Sequence, residues 1–285
     1  MHQPVMTQHI IDLFTHAPQP MHFLDATFGR GGHSRALLDA FPECKMTAID
    51  RDPEAISYAK KEMAHYKERF SIAQCRFSMA KDLFQNENFS GILMDIGVSS
   101  PQIDQGNRGF SIQKDGPLDM RMDPTTGMTA ADFIHSMKEK ELADLIFHYG
   151  QETNSRRIAR KIIDARHKKP ITSTQELSQI ILKATPYRRR LHPATKTFQA
   201  LRIAVNDELS ELETFLSFSG TLLRSKGILC VICFHSLEDR IVKNFFKTST
   251  QFFCAKKKPS YPERSEVIDN IRSRSARLRF GVKIS

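Results

Sequence analysis

The sequence predicts an α/β protein: a largely parallel sheet wound on both faces, interrupted by an inserted all-helical domain. Three patterns carry that expectation. Short apolar runs alternate with helical patterns through the first half of the chain, and strands separated by helices imply crossover connections and parallel pairing. A glycine turn, Gly29-Arg30-Gly31-Gly32, lies between the first apolar run and the first helical stretch. Helical patterns then run uninterrupted through residues 128–193, after which an apolar run at 227–234 resumes the sheet.

Element by element, residues 21–26 form a compact apolar run containing Asp25, followed by the glycine turn and a helical stretch at 35–41. Lys45–Asp50 is a second strand with an acidic end, and residues 53–66 place Ala55, Ile56, Ala59 and Met63 at helical spacing. A third strand is expected at 70–77 and a fourth at 91–98, ending in Asp95-Ile96-Gly97-Val98-Ser99-Ser100. Residues 106–127 are polar and glycine-rich, an extended loop whose length points to function rather than linkage. Helices follow at 129–137, 140–149, 155–166 and 174–183. The spacing then predicts one long helix over 195–223, the strand 227–234, and a helix capped by Ser236. Residues 1–127 and 194–285 therefore make the expected core and 128–193 the insertion.

Forty-two Lys and Arg face thirty-two Asp and Glu, for a net charge of +10, which favours a polyanionic partner. The excess is concentrated: twelve basic against three acidic residues in 151–200, and nine against three in 251–285. Two basic regions suit a polyanion held between them. Hydrophobic residues at 40% and charged residues at 26% supply a real core and exclude a disordered chain. No apolar run approaches the roughly 18 residues of a membrane span, and the first thirteen residues hold no Lys or Arg, unlike a secretion signal. A cytoplasmic protein is the expectation. The five cysteines are odd in number and scattered, as suits a reducing compartment. Cys230 and Cys233 form a CxxC inside the last apolar run and read as buried strand, so no metal site is expected.

The chemistry centres on the glycine turn. Gly29, Gly31 and Gly32 admit positive φ and close approach of a ligand to the backbone, while the following helix start offers free N–H groups. Asp50, at the end of the second strand, is placed to hold the ribose hydroxyls of an adenosine group. That arrangement serves a dinucleotide as well as S-adenosylmethionine. Asp25 favours the latter, because a carboxylate beside the turn pairs with an ammonium and repels a pyrophosphate. Asp95, at the end of the fourth strand, faces the same crevice. His235, Ser236 and Asp239 are the residue types of a hydrolase triad, yet the sequence has no GxSxG elbow.

Longer motifs say more. His2-Gln3-Pro4-Val5, Asp25-Ala26-Thr27-Phe28-Gly29-Arg30-Gly31-Gly32-His33-Ser34 and Asp95-Ile96-Gly97-Val98-Ser99-Ser100-Pro101-Gln102 are joined by Arg108-Gly109-Phe110-Ser111 and Asp115-Gly116-Pro117-Leu118-Asp119-Met120-Arg121-Met122-Asp123. Thr197-Phe198-Gln199-Ala200-Leu201-Arg202-Ile203, His235-Ser236-Leu237-Glu238-Asp239-Arg240 and Arg274-Ser275-Ala276-Arg277-Leu278-Arg279 complete the set. Over nearly its full length the chain resembles the bacterial methyltransferases that modify N4 of a cytidine in the 16S ribosomal RNA of the small subunit. The resemblance implies a Rossmann-like S-adenosylmethionine-dependent methyltransferase sheet with a helical insertion. It also implies a cofactor site of Gly31, Gly32, His33, Asp50, Phe77, Asp95 and Gln102.

The target base must leave its stack to be reached. Arg108, Phe110 and Arg121 are candidates to hold the flipped base and its phosphate, and Lys168, Lys169, Arg188, Arg189 and Arg190 to contact backbone phosphates. Asp95-Ile96-Gly97-Val98 stands where amine-modifying DNA enzymes commonly carry an (Asp/Asn/Ser)-Pro-Pro-aromatic element, so the amine-orienting group is open among Asp95, Asp115, Asp119 and Asp123, with Asp119 and then Asp95 the leading choices. The implied partner is 16S rRNA, within the small subunit, with the enzyme a monomer or homodimer. A small-molecule methyltransferase of the same fold and a non-catalytic RNA-binding assembly factor remain open on the residues alone.

Overall fold

The computed structural model describes residues 4–185 and 192–284; Arg188, Arg189 and Arg190, with His2 and Gln3, lie outside them. Contacts divide the chain into two compact units, residues 1–97 with 209–285 and residues 98–208. In chain order the first unit opens with α1 (Thr7–Phe14), β1 (His22–Asp25), α2 (Gly32–Ala40), β2 (Lys45–Asp50), α3 (Pro53–Glu62), β3 (Phe70–Gln74), α4 (Ala80–Leu83) and β4 (Phe89–Asp95). The second unit holds α5 (Ser100–Asp104), α6 (Ala130–Ser136), α7 (Glu139–Gly150), α8 (Ser155–Arg166), α9 (Thr174–Ala184) and α10 (Thr195–Asn206). The first unit resumes with α11 (Glu208–Leu222), β5 (Leu223–Cys233), α12 (Ser236–Thr248), β6 (Phe252–Phe253), α13 (Arg264–Asp269) and β7 (Arg277–Lys283).

The first unit is built on a seven-stranded sheet of order β3-β2-β1-β4-β5-β7-β6. Strands β1 to β5 run parallel, and β7 and β6 close one edge antiparallel. Side-chain alternation along each strand feeds two cores. Phe23, Met46, Ala48, Leu93, Ile228 and Cys230 pack with α1, α2 and α3 on one face, while Leu24, Ile49, Ile92, Met94, Leu229 and Cys233 pack with α11 and α12 on the other. Cys230 and Cys233 thus belong to opposite faces of one strand, and burial pushes both thiols up. The CxxC is core.

The second unit has its own helical core, in which Leu142, Ile146, Ile158, Ile162, Leu177 and Ile181 are fully buried. The loop before α6 joins it, because Leu118 and Met120 are buried in that core and Pro117 bridges to Ser173. Helix α10 joins it through Phe198, Ala200 and Leu201. The contact boundary therefore lies outside 128–193, and takes in loop and helix on either side.

Two expectations are corrected. The apolar pattern over 195–223 is two helices, not one: Asp207 adopts φ 51°, ψ 37° and ends α10 before α11 begins. Ser236 is the first residue of α12 rather than its cap, since the imidazole of His235 accepts from the Glu238 N–H and the Glu238 carboxylate accepts from the His235 N–H. The strands at 70–77, 91–98 and 227–234 are Phe70–Gln74, Phe89–Asp95 and Leu223–Cys233.

Candidate active site at the carboxyl edge of the sheet

The chain runs from β1 outward through β2 to β3 and then returns to place β4 on the other side of β1. That reversal makes the gap between the carboxyl ends of β1 and β4 the switch point where open α/β sheets bind ligands. Asp25 ends β1 and pairs in register with Ala48 and Leu93. Asp50 and Asp95 each stand two residues further along their own strands, so three carboxylates line one sheet edge.

The loop between β1 and α2 is organised around these acids. Asp25 is buried and accepts from the Thr27 N–H at 3.0 Å and the Ser34 hydroxyl at 2.6 Å. Thr27 Oγ1 in turn accepts from the Asp95 N–H at 2.6 Å. Gly29 donates its N–H to Asp50 Oδ2 at 2.7 Å, and Asp52 donates to Asp50 Oδ1 at 2.9 Å. Gly31, at φ +66°, turns the chain into α2, and a Cβ there would lie 2.5 Å from the Phe28 ring. Gly32 is tight for a different reason: its Cβ would meet the Pro4 ring at 3.0 Å, and the ring would have to give way. No side chain caps the first turn of α2, so its N–H groups face outward as donors.

Electrostatics set this edge apart. Burial, opposed by the backbone hydrogen bonds, pushes the Asp50 carboxyl up to about 6, and burial likewise raises Asp25 despite its bond from Ser34. His33 Nε2 lies 3.4 Å from Asp95 Oδ2, and neither imidazole nitrogen of His33 nor Asp95 Oδ1 has a hydrogen-bond partner, although all are buried. Unsatisfied buried polar atoms are costly. A donor arriving at Asp95 and an acceptor arriving at His33 would relieve that cost.

Among the other expected cofactor residues, Phe77 follows β3, where the Cys75 N–H donates to the Asp50 carbonyl at 3.0 Å. Its ring packs edge-on against Phe215 at 6.2 Å, so it belongs to the core as well as to this edge. Gln102 lies in the helical unit, buried, with Oε1 accepting from the Ser99 N–H at 2.9 Å in the capping box of α5. Asp119 is in the same unit, where the Arg121 backbone N–H, Nε and Nη2 all donate to it within 2.9 Å. Partial burial works against ionisation of Asp119, but these bonds outweigh it and hold the carboxyl below its usual range. Such a carboxylate is a poor proton acceptor.

Of the residues expected to touch RNA, Arg108 is buried, its guanidinium on the carbonyls of Arg121 and Met122. Phe110 packs against the helical core. Arg121 is paired with Asp119, and Lys169 with Glu176 at 2.9 Å. Lys168 is exposed. The sequence reading passed over the exposed face of α8, Arg156, Arg157, Arg160 and Lys161, although its charge was already counted in the basic span. The helical spacing that buries Ile158 and Ile162 fixes which of its cations face solvent.

The model of the MraW methylase family matches the chain over residues 1–284. The chain belongs to that family. The family match spans both the sheet unit and the helical unit. A relative from Gloeothece citriformis, named ribosomal RNA small subunit methyltransferase H, is 47% identical over 284 residues, covering 98% of this chain and 93% of its own. A protein of the same name from Rickettsia bellii is 43% identical over 305 residues, with 99% of each chain covered. Among solved structures, an rRNA-methylase candidate from Clostridium thermocellum aligns over 100% of both chains with a TM-score of 0.50 at 11% identity, a likeness of fold. No helix among the described residues is long and apolar enough to cross a membrane.

Proposed function

We propose that this member of the family methylates the exocyclic N4 of a cytidine in the decoding region of 16S ribosomal RNA, using S-adenosylmethionine. The names of the relatives support ribosomal RNA of the small subunit as the substrate. The observation that carries the cofactor is the pair of groups with buried, orphaned polar atoms at the switch point, His33 and Asp95, beside Asp50 with its raised carboxyl. A ribosomal RNA substrate supports a cytoplasmic location.

S-adenosylmethionine supplies a methyl carbon on a sulfonium, already electrophilic enough that the protein's task is orientation and exclusion of water. Asp50 accepts from the ribose hydroxyls, its position fixed by the Gly29 and Asp52 N–H groups. Gly31 and Gly32 let the backbone approach, and the uncapped turn of α2 offers donors to the amino-acid carboxylate. Asp25 and Asp95 favour a cation, Asp25 from within its bonds to Thr27 and Ser34. His33 and Phe77 complete the cofactor side of the sheet edge.

For the acceptor, a cytosine N4 shares its lone pair with the ring. A carboxylate accepting one N–H turns that pair out of the ring system toward the methyl and takes the proton later. Asp95 fits this role better than Asp119, because Asp95 Oδ1 is free to accept and Asp119 is saturated by Arg121. The exposed cations of α8, with Lys168, contact phosphates. Incubation with labelled cofactor and small subunits lacking the modification is expected to place one methyl on a cytidine N4, located by mass spectrometry. Asp50→Ala should abolish cofactor binding by calorimetry, and Asp95→Asn should cut turnover by about two orders of magnitude or more. Label on a ring carbon, a ribose or a protein would overturn the assignment.

A further inference from the structure

The outer edge of the sheet is not a bare strand. β6 covers β7 only at Phe252 and Phe253, opposite Lys283 and Val282. The chain then leaves the ladder and returns at Ser260, whose N–H donates to the Leu278 carbonyl at 2.9 Å while the Leu278 N–H donates back at 3.0 Å. Between these points it is pinned twice. Cys254 Sγ donates to the Phe280 carbonyl at 3.3 Å, and Arg279 Nη1 donates to the Lys257 carbonyl at 3.1 Å while its Nε is held by Asp239 at 2.7 Å. The result is a tethered strap with a fixed backbone and outward side chains.

What the strap displays is one kind of chemistry. Lys256, Lys257 and Lys258 are all exposed, and their ammonium groups have no carboxylate partner among the described residues. Tyr261 is 59% exposed. Pro262 restricts Tyr261, the residue before it, to extended backbone, and the paired hydrogen bonds to Leu278 hold Ser260, which reduces the ordering cost of a contact. Free cations beside an available aromatic face are what a single-stranded nucleic acid uses, phosphates to the lysines and a base on the ring.

Register fixes where the strap ends. Ser260 is opposite Leu278, Leu278 opposite Ile232, and Ile232 opposite Asp95. Four chain segments in one row put Tyr261 at the same carboxyl edge as the candidate active site, roughly 14 Å along the sheet by strand spacing, a span that a few nucleotides cover. We infer that the strap from Phe253 to Tyr261 is a second RNA-binding element, holding single-stranded nucleotides that flank the target base. The inference rests on the proposal that the substrate is RNA. A second copy of this chain is the competing occupant, since Phe253 is 63% exposed beside the strap. Charge argues against it, because a two-fold contact would set lysine triad against lysine triad.

The test uses the full-length protein and a synthetic single-stranded RNA with one central cytidine, read by fluorescence anisotropy over a salt series. Replacing Lys256, Lys257 and Lys258 together by Ala should weaken binding and reduce the log–log salt slope by about 2 to 3. Tyr261→Ala should weaken binding on the order of tenfold with no change of slope, and Tyr261→Phe should restore it. Calorimetric affinity for S-adenosylhomocysteine should stay at the parent value in all of them. Unchanged affinity and slope in the variants overturns the inference, as does a parent protein that binds the RNA without salt dependence. A parent dimer that dissociates on these substitutions while RNA affinity holds also overturns it, in favour of self-association. Methyl transfer is measured on the same preparations: a strap effect on binding without any transfer sustains the strap and removes the enzymatic assignment, whereas transfer with no strap effect does the reverse.

Discussion

At the residue scale, Asp50 has consequences in both free and bound states. Its carboxyl titrates near pH 6 in the folded chain because burial disfavours the charge, against about 3.9 in an unfolded chain. Between those values the folded state binds the extra proton, so stability falls as pH rises from about 4 to 6 and is level above. The accumulated cost is about 3 kcal/mol at neutral pH. Binding runs the opposite way, because ribose hydroxyls need the ionised acceptor. Affinity for S-adenosylhomocysteine should therefore drop as pH falls below about 6, and calorimetry from neutral to mildly acid pH should lose that step in Asp50→Asn. The three acids were legible in the sequence because each ends an apolar run. The burial of Arg108 was not, since nothing local to an Arg in a polar loop reveals that two backbone carbonyls will claim it.

At the scale of elements, a break between helices is hidden wherever the apolar pattern continues through it. Residues 195–223 read as one helix because Phe198, Leu201, Leu212 and Phe215 are all core residues, and hydrophobic periodicity alone does not report a single left-handed residue. Asp207 supplies the break at φ 51°, a conformation that costs a non-glycine residue more than it costs glycine. Asp207→Gly should raise stability by roughly 0.5–1 kcal/mol, the left-handed penalty less the entropy that glycine loses, seen as an increase in Tm on the order of 2 °C. A lower Tm would mean that the Asp207 side chain stabilises the turn. The α12 cap has a similar lesson: a Ser before a helical run is the ordinary cap, but here His235 and Glu238 form the reciprocal box one position earlier.

At the scale of the whole molecule, the fold class followed from alternation and the glycine turn, because both are local signals repeated in order. The extent of the second unit was less legible. Residues 106–127 are polar and read as a functional loop separate from the insertion, while two apolar side chains, Leu118 and Met120, bind the loop to the helices. Among the described residues, none of the three apolar clusters draws residues from both units. Native-state hydrogen exchange should accordingly resolve two cooperative openings, one protecting α7, α8 and α9 and the other the sheet amides. A single opening energy for all protected amides would mean that the units unfold together.

The arrangement of the sheet also dictates a timetable. Strand β4 pairs with β1 at once, but its other side waits for β5, which begins only at Leu223. A ribosome takes on the order of ten seconds to make the intervening stretch. For that interval the nascent chain carries all three crevice carboxylates beside an open hydrophobic strand, the kind of transient surface that chaperones cover and that aggregation exploits.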